Sequence, residues 1–558
     1  MRRSRSFLMA VFGGLFVAAC RDGTGPGTGP SLVCAAANTE ALAVGQRRIL
    51  DPNQDDACVR LPTAGPSGAQ YLYVPVATAG TETEAGVQAD YRITGASPAA
   101  AAARALPSPL LSAFRPPVRA GAFHAMLRER ERDLSQSASV ALFDRSRVMA
   151  STAVPVMVGE QRTFQVCSTP QCNSFVDATA TAQVVGNRVA IFVDNDAPAP
   201  GYTNPDLVAV GALFDDFLYP IDTTAFGRES DIDTNGVVIV LLTHRVNALS
   251  PDCDAVGSVI LGYFFGADLL PRSNNNPGSN EAEIFYGLVP DINNPTCSIT
   301  EQFARERLPP TFIHEFQHMI SFNQHRLIRG GSAEDIWLNE GLSHFAEELG
   351  ARRLPATECA SGSCFQDFLK RGNIPNAYAY LQSPEDFFLI EPGSSNGTLE
   401  ERGANWLFVR WLADHFATDS VLGTDLTRRL VATSLVGAAN VVAQTSVPFS
   451  VLVPEWQMTN YLDDLPGFNQ PGARLRYKSW NFRQLFPDSI QQPFPLVPDN
   501  TTGNGYSLTG VLRAGSGPHV LVTQAGGAPL VDLLLSAPSG TEAVSPTVDA
   551  RIGLVRIR

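Results

Sequence analysis

Two histidines four residues apart, His314 and His318, enclose Glu315 in the pattern H-E-x-x-H. On a helix that spacing puts both imidazoles on one face, one turn apart. Two neutral rings so placed can share a zinc ion, and the carboxylate between them can act as general base toward a metal-activated water. With 8 His and 55 Asp plus Glu in 558 residues, a chance match is rare, about 0.01 per chain. The bland alternative is a helix with two unrelated histidines, and a third ligand would weigh against it.

His325 is not that ligand. The metzincin pattern needs Gly where this chain has Ser321 and His where it has Gln324. On a continuing helix His325 would sit about 10 Å beyond His318, at ~1.5 Å rise per residue, too far to share an ion. Glu340 is the better candidate. Glu340, His344 and Glu347 fall at i, i+4 and i+7, on one face of a helix whose other stripe is Leu338, Leu342, Phe345 and Leu349. His314, His318 and Glu340 would complete a His₂Glu zinc site that keeps one position open for water.

Two helices must hold these residues. The first is expected from Thr311 to Arg329, with Pro309-Pro310 at its start and apolar residues Phe312, Ile313, Phe316, Met319, Ile320 and Leu327 at helical spacing. Gly330-Gly331 breaks it. Ser332 is expected to cap the second, and Gly350 to end it. A short Gly loop then lets the two pack side by side.

The segment Trp337-Leu338-Asn339-Glu340-Gly341-Leu342-Ser343, following H-E-x-x-H, resembles the gluzincin clan. In detail, His314 to Asn323 together with this segment is similar to the hyicolysin-like zinc metallopeptidases, secreted bacterial endopeptidases. The resemblance covers about residues 231–416 and is specific at these two helices. It implies that His314, His318 and Glu340 bind one Zn²⁺ and that Glu315 is the catalytic base. Gluzincins of the N-E-x-x-S-D type place an Asp behind a zinc-bound His; here that position is His344. His344 and Glu347 are therefore the candidates for the group that orients a zinc-bound imidazole from behind, beside a backbone carbonyl. No G-x-M-E-N segment is present, which favours endopeptidase over aminopeptidase activity. Tyr378, Tyr380, His415 and Arg402 are candidates for the proton donor, against a structural role for each. Trp337 and Phe312 are candidates for an apolar wall, against ordinary core packing.

The remaining chain bounds the setting. A net charge of −14 argues against nucleic acid as partner, and 17% charged with 44% hydrophobic residues argues for large buried cores. Arg2, Arg3 and Arg5, the apolar run Phe7 to Ala19 and Val17-Ala18-Ala19-Cys20 resemble a bacterial lipoprotein signal, with Cys20 as the lipidated residue and hence a membrane partner. The alternative is an ordinary cleaved signal. The other eight cysteines are read as structural disulfides of an exported protein. Nearest-neighbour pairing gives Cys34–Cys58, Cys167–Cys172, Cys253–Cys297 and Cys359–Cys364, one of 105 connectivities.

The expected organisation is a signal peptide (1–20), a Gly/Pro tether (21–32), an N-terminal β domain (33–98), an Ala/Pro linker (99–120), a metalloprotease domain (121–490) and a C-terminal β module (499–558). The fold class is α+β: a gluzincin-like core, with a twisted sheet subdomain and a helical subdomain carrying the H-E-x-x-H helix, flanked by small all-β modules. Ala120 to Ser135, with alternating Arg and Glu, reads as a charged helix with a solvated face. Asp231-x-Asp233-x-Asn235-Gly236 opens like a Ca²⁺ loop but has Leu242 at position 12; calcium on Asp231, Asp233 and Asn235 stands beside a plain Asx turn. Ala282 to Leu288 is the candidate exposed edge strand for a polypeptide substrate. Residues between Cys20 and Ser135 could include an inhibitory propeptide. Two functions follow: a zinc-dependent endopeptidase of extracytoplasmic proteins, in the periplasm or at the cell surface, or a lipid-anchored binding or adhesion protein with a non-catalytic protease-like body.

Overall fold

A computed structural model describes residues 34, 38–54, 57–95, 118–136, 155–256, 259–393, 397–419, 422–469 and 474–558. The expected signal with Cys20, the tether and residues 99–117 lie outside the described residues. The fold is α+β. Six strands, β5 (Gln161–Cys167), β6 (Phe175–Val185), β7 (Val189–Asp194), β8 (Val238–Leu242), β9 (Gly262–Phe264) and β10 (Ile284–Gly287), form one mixed sheet in the order β5-β6-β7-β8-β10-β9. β8 reads Val-Ile-Val-Leu-Leu and runs parallel to both neighbours. A run without polar alternation suits a strand covered on both faces. Val240 and Leu242 pack with Phe312 on one face, while Ile239 and Leu241 pack with Tyr263 and Tyr286 on the other.

The sheet order corrects one expectation. Ala282 to Leu288 supplies β10, but β10 is interior; β9 pairs antiparallel along its outer side and is the edge strand. Local sequence marks both segments as strands and says nothing about which lies outside.

The two ends of the chain, expected as separate β modules, share their sheets. β1 (Arg47–Leu50), β2 (Cys58–Leu61), β3 (Ala69–Ala77) and β4 (Gln88–Gly95) combine with β11 (Asp499–Thr501), β12 (Ser507–Arg513), β13 (Val520–Gln524), β14 (Val531–Ser536) and β15 (Ala550–Arg556). The sheets β1-β15-β3-β13-β11 and β12-β4-β14-β2 face each other across one apolar core. β3 is buried on both faces. Tyr71 and Tyr73 point into the sandwich, and Leu72, Val74 and Val76 point into the core shared by the mixed sheet and the helices. Each such aliphatic side chain contributes roughly 1.5–3 kcal/mol by burial, so the sandwich is fixed to the body.

Five helices matter for the site: α1 (Val118–Gln136), α2 (Glu301–Phe322), α3 (Ile336–Arg353), α4 (Leu399–Phe416) and α5 (Phe449–Leu462). α2 starts ten residues earlier than the sequence suggests, capped by Thr300, whose side chain accepts the Phe303 N–H. Pro309-Pro310 therefore lies inside the helix rather than at its start. Pro309 and Pro310 deprive the Arg305 and Glu306 carbonyls of their helical N–H donors, and the Thr311 hydroxyl adds a bond to the next carbonyl, that of Arg307, at 2.8 Å. The helix continues through a wider turn, Asn323–Ile328, and stops at Gly330, whose φ of 68° is the left-handed conformation that glycine adopts without strain. α3 begins at Ile336 with Asp335 as its cap and runs to Arg353, so Ser332 does not cap it and Gly350 does not end it. α4 opens with a Thr398/Glu401 capping box.

Four disulfides, Cys34–Cys58, Cys167–Cys172, Cys253–Cys297 and Cys359–Cys364, follow nearest-neighbour pairing. Such bridges belong to oxidising compartments. No helix among the described residues is long and apolar enough to cross a membrane.

Candidate metal centre and active site

α2 and α3 pack side by side, and the helical period then determines what meets across them. His314 and His318 face Glu340, with Nε2 to carboxylate distances of 3.6 Å for both rings and 3.1 Å between the two Nε2 atoms. Ligands around tetrahedral zinc lie about 3.3 Å apart at normal bond lengths. All three side chains are buried. Neither oxygen of Glu340 accepts a hydrogen bond. A buried carboxylate left that way is costly unless a cation holds it, so the donor set fits a zinc ion. Among the described residues three other groups are close enough to hold an ion: Asp231, Asp233 and Glu283; Cys34, Cys58 and Asp532, whose cysteines are joined in a disulfide; and His314, His344 and Glu347. The last also joins two imidazoles to a carboxylate, but there Glu347 already accepts from His314 Nδ1, whereas both oxygens of Glu340 accept no hydrogen bond.

The surrounding groups prepare these ligands. His318 Nδ1 sits 3.1 Å from Asn339 Oδ1 and 3.0 Å from Ser343 Oγ, which fixes the ring and leaves Nε2 toward Glu340. Burial, helped by the positive charge of Arg128, holds the His318 imidazole far below its ordinary pKa and therefore neutral. Burial raises the Glu340 carboxyl, but Arg402 and the two histidines outweigh it and hold it well below the carboxylate range. Glu347 accepts from His314 Nδ1 at 2.7 Å and lies 2.9 Å from His344 Nδ1. Glu347 contacts His314 Nδ1 directly, and His344 also borders His314, its ring centroid 4.9 Å away, and lines the same cavity.

Glu315 is anchored from the edge strand. Its Oε2 accepts the Phe264 N–H at 2.7 Å, and its Oε1 is left toward the cleft. Burial pushes its pKa up, against the pull of His314 and Arg128. A cavity of about 360 Å³ opens here, lined by His314, Glu315, His344 and Glu347 on the helix side and by Leu261 and Gly262 at the start of β9. A larger opening, about 430 Å³, lies between the loop 80–84 and α1 and is lined by no histidine or cysteine.

The closeness of α3 and α4 depends on Gly341, where a Cβ would stand 2.9 Å from the Asn405 carbonyl oxygen. That approach brings Arg402 to 3.8 Å from Glu340, in the cavity wall. Arg402 is the one proton-donor candidate that lines the cavity. Tyr380 is buried, stacked on Trp456, and its hydroxyl accepts from Gln457. Tyr378 packs edge-on against Phe486, and His415 bonds the Arg476 carbonyl. None of these three lines the cavity. Trp337 and Phe312 are fully buried core residues and do not line it either. His325 is buried 3.5 Å from Glu334, away from the centre.

The candidate calcium loop is hydrogen-bonded as a turn. Asp233 Oδ1 accepts from Asn235 N, and Asp231 Oδ1 from Gly236 N. Glu283 joins it, accepting the Ile232 N–H, and its oxygens lie within 4.8 Å of those of Asp231 and Asp233. Burial pushes the Asp233 carboxyl up to about 6 and that of Glu283 up to about 8.

α1 overturns the solvated-face reading. Phe123, Leu127, Arg128 and Glu131 are all buried. Arg128 donates to the Phe264 carbonyl, and Glu131 accepts the Gly266 N–H at 2.6 Å, so the alternating charges engage the backbone at the edge of the sheet. The same helix places His124 beside Glu315. Sequence reasoning missed His124; the only local signal was a histidine within a helix whose charges fall at i, i+3.

No protein-family model matches the chain. It is similar to the neutral metalloprotease ShpI of Staphylococcus hyicus, 28% identical over 182 residues. The match covers 30% of this chain and spans 39% of that protein's length.

Proposed function

We propose that the chain is a zinc-dependent endopeptidase of extracytoplasmic polypeptides, built on a gluzincin-like core of the hyicolysin type. The observation that carries this reading is the convergence of His314, His318 and the unengaged carboxylate of Glu340, with Glu315 beside them. Similarity to a neutral metalloprotease supports it. Zinc held by His314, His318 and Glu340 would supply Lewis-acid activation of a water and of the scissile carbonyl.

The chain's own groups do the rest. Glu315, steadied through Oε2 by the Phe264 amide, takes a proton from the attacking water on Oε1 and passes it to the leaving amine. Asn339 and Glu347 orient the two imidazoles. The substrate backbone lies along the stretch from Val259 to Gly262, which borders the cavity where β9 begins. Export is supported by the four disulfides, and lipid anchoring at Cys20 rests on the signal pattern alone.

Zinc analysis combined with casein or peptide-library cleavage tests the reading. Stoichiometric zinc, with cleavage that is lost on chelation and in Glu315→Ala, is expected. Stoichiometric zinc with no cleavage by the wild type would overturn it in favour of a lipid-anchored binding protein.

A further inference from the structure

One imidazole reaches the cleft from far upstream. His124 is 8% exposed and lines the cavity together with His314, Glu315 and Arg402. Its Nδ1 lies 3.8 Å from Glu315 Oε1, beyond hydrogen-bond distance, and makes no hydrogen bond to any group. Its ring centroid is 6.5 Å from that of His314. Leaving a buried polar atom unpaired is costly, and such sites call for an explanation. The helix that carries it is firmly seated. Phe123 packs edge-on against Tyr263, Arg128 and Glu131 clasp the β9 end, and Ser135 accepts the Ala333 N–H. The ring is therefore held at the cleft by a rigid support, as pre-organised donors are.

We propose that His124 is a further catalytic residue, whose ring N–H donates a hydrogen bond to the oxygen of the scissile carbonyl as negative charge develops there. The inference rests on the peptidase reading. As the water oxygen bonds to the carbonyl carbon, the C=O π pair moves onto oxygen and meets the His124 N–H, while the water proton goes to Glu315. On collapse the C–N bond breaks, its electron pair leaves on nitrogen, and that nitrogen takes the proton from Glu315. Burial, reinforced by Arg402, holds His124 well below its ordinary pKa, so the ring acts as a neutral donor. The other downstream candidates, Tyr378, Tyr380 and His415, do not line the cavity.

The test uses the full zinc-loaded chain with His124→Phe, which keeps an aromatic ring but no donor, and His124→Gln, which keeps an N–H. His124→Phe is expected to lower kcat about 100-fold, with KM within about twofold. His124→Gln is expected to recover part of the loss. Zinc content should be unchanged in both. By calorimetry, affinity for a phosphonamidate peptide, whose tetrahedral oxygens imitate the charged intermediate, is expected to weaken in His124→Phe in parallel with kcat. Variants that cleave as well as the wild type, or bind the phosphonamidate equally, overturn the proposal while leaving the peptidase reading standing. Variants that cleave faster also overturn it and identify α1 as a plug over the cleft. A wild type that cleaves nothing overturns the peptidase reading itself.

Discussion

Glu347 stands directly behind His314: its Oε1 is 2.7 Å from Nδ1, on the side of the ring away from His318 and Glu340. The carboxylate fixes the tautomer that leaves Nε2 free for a metal. Burial pushes the Glu347 carboxyl up, but His344 and His314 overcome that and hold it below the usual carboxylate range. Glu347→Ala should therefore weaken zinc binding about 10- to 100-fold. Competition with a chromophoric chelator measures it. Unchanged affinity would show that another group orients His314.

Glu315 differs from the ligands in that it need not hold the ion. Glu315→Gln keeps an oxygen to accept the Phe264 N–H and loses the base. Such a variant should bind stoichiometric zinc and lose about 10²–10⁴ in kcat. Metal analysis and peptide cleavage on the same sample separate the two effects. Loss of zinc together with activity would mean that Glu315 is structural.

The base must be ionised to take a proton, and burial raises its pKa. A raised pKa moves the acid limb of kcat/KM upward, so activity should fall as pH drops through a midpoint above the ordinary carboxylate value of about 4.3. The limb is read from kcat/KM against pH, with zinc content checked at each point. A midpoint at or below the ordinary value, with zinc retained, would show that the cleft stabilises the anion more than burial opposes it.

Much of the candidate metal centre was legible because helical spacing is local. His314, His318 and Glu340 come from two short segments, and Glu347 follows from the period of α3. What was not legible depends on pairing between distant segments. The Arg and Glu alternation of α1 looks the same whether it faces water or a sheet edge, and only the fold shows Arg128 and Glu131 turned onto β9. Strand propensity found β9 and β10 but not their order, and it found the strands at both chain ends but not that they share two sheets. The proline pair looked like a helix start because proline is tolerated there, whereas the helix starts upstream at the Thr300 cap and runs through the pair.

The flank of α3 that faces α4 carries a second buried charge about two turns beyond Glu340, and stability should depend on it. Glu348 is fully buried and accepts from Trp406 Nε1 at 2.9 Å, Trp480 Nε1 at 2.8 Å and Arg352 Nε at 2.7 Å. Arg410, on α4 and equally buried, lies 3.4 Å from Glu348 and 3.0 Å from Asp414. Its guanidinium also covers the Phe345 ring at 4.8 Å. Arg410→Met keeps most of the volume but leaves two buried carboxylates short of their shared cation. Breaking a buried pair from one side costs about 3–5 kcal/mol. Equilibrium denaturation should show a loss of that size, and a loss under about 1 kcal/mol would mean that Arg352, the two indoles and the backbone N–H groups of Lys478 and Ser479 already satisfy both carboxylates. Arg402, two turns earlier on the same helix, faces Glu340. A shift of α4 against α3 in Arg410→Met should therefore also weaken zinc binding, which the same chelator competition reads well below the unfolding transition.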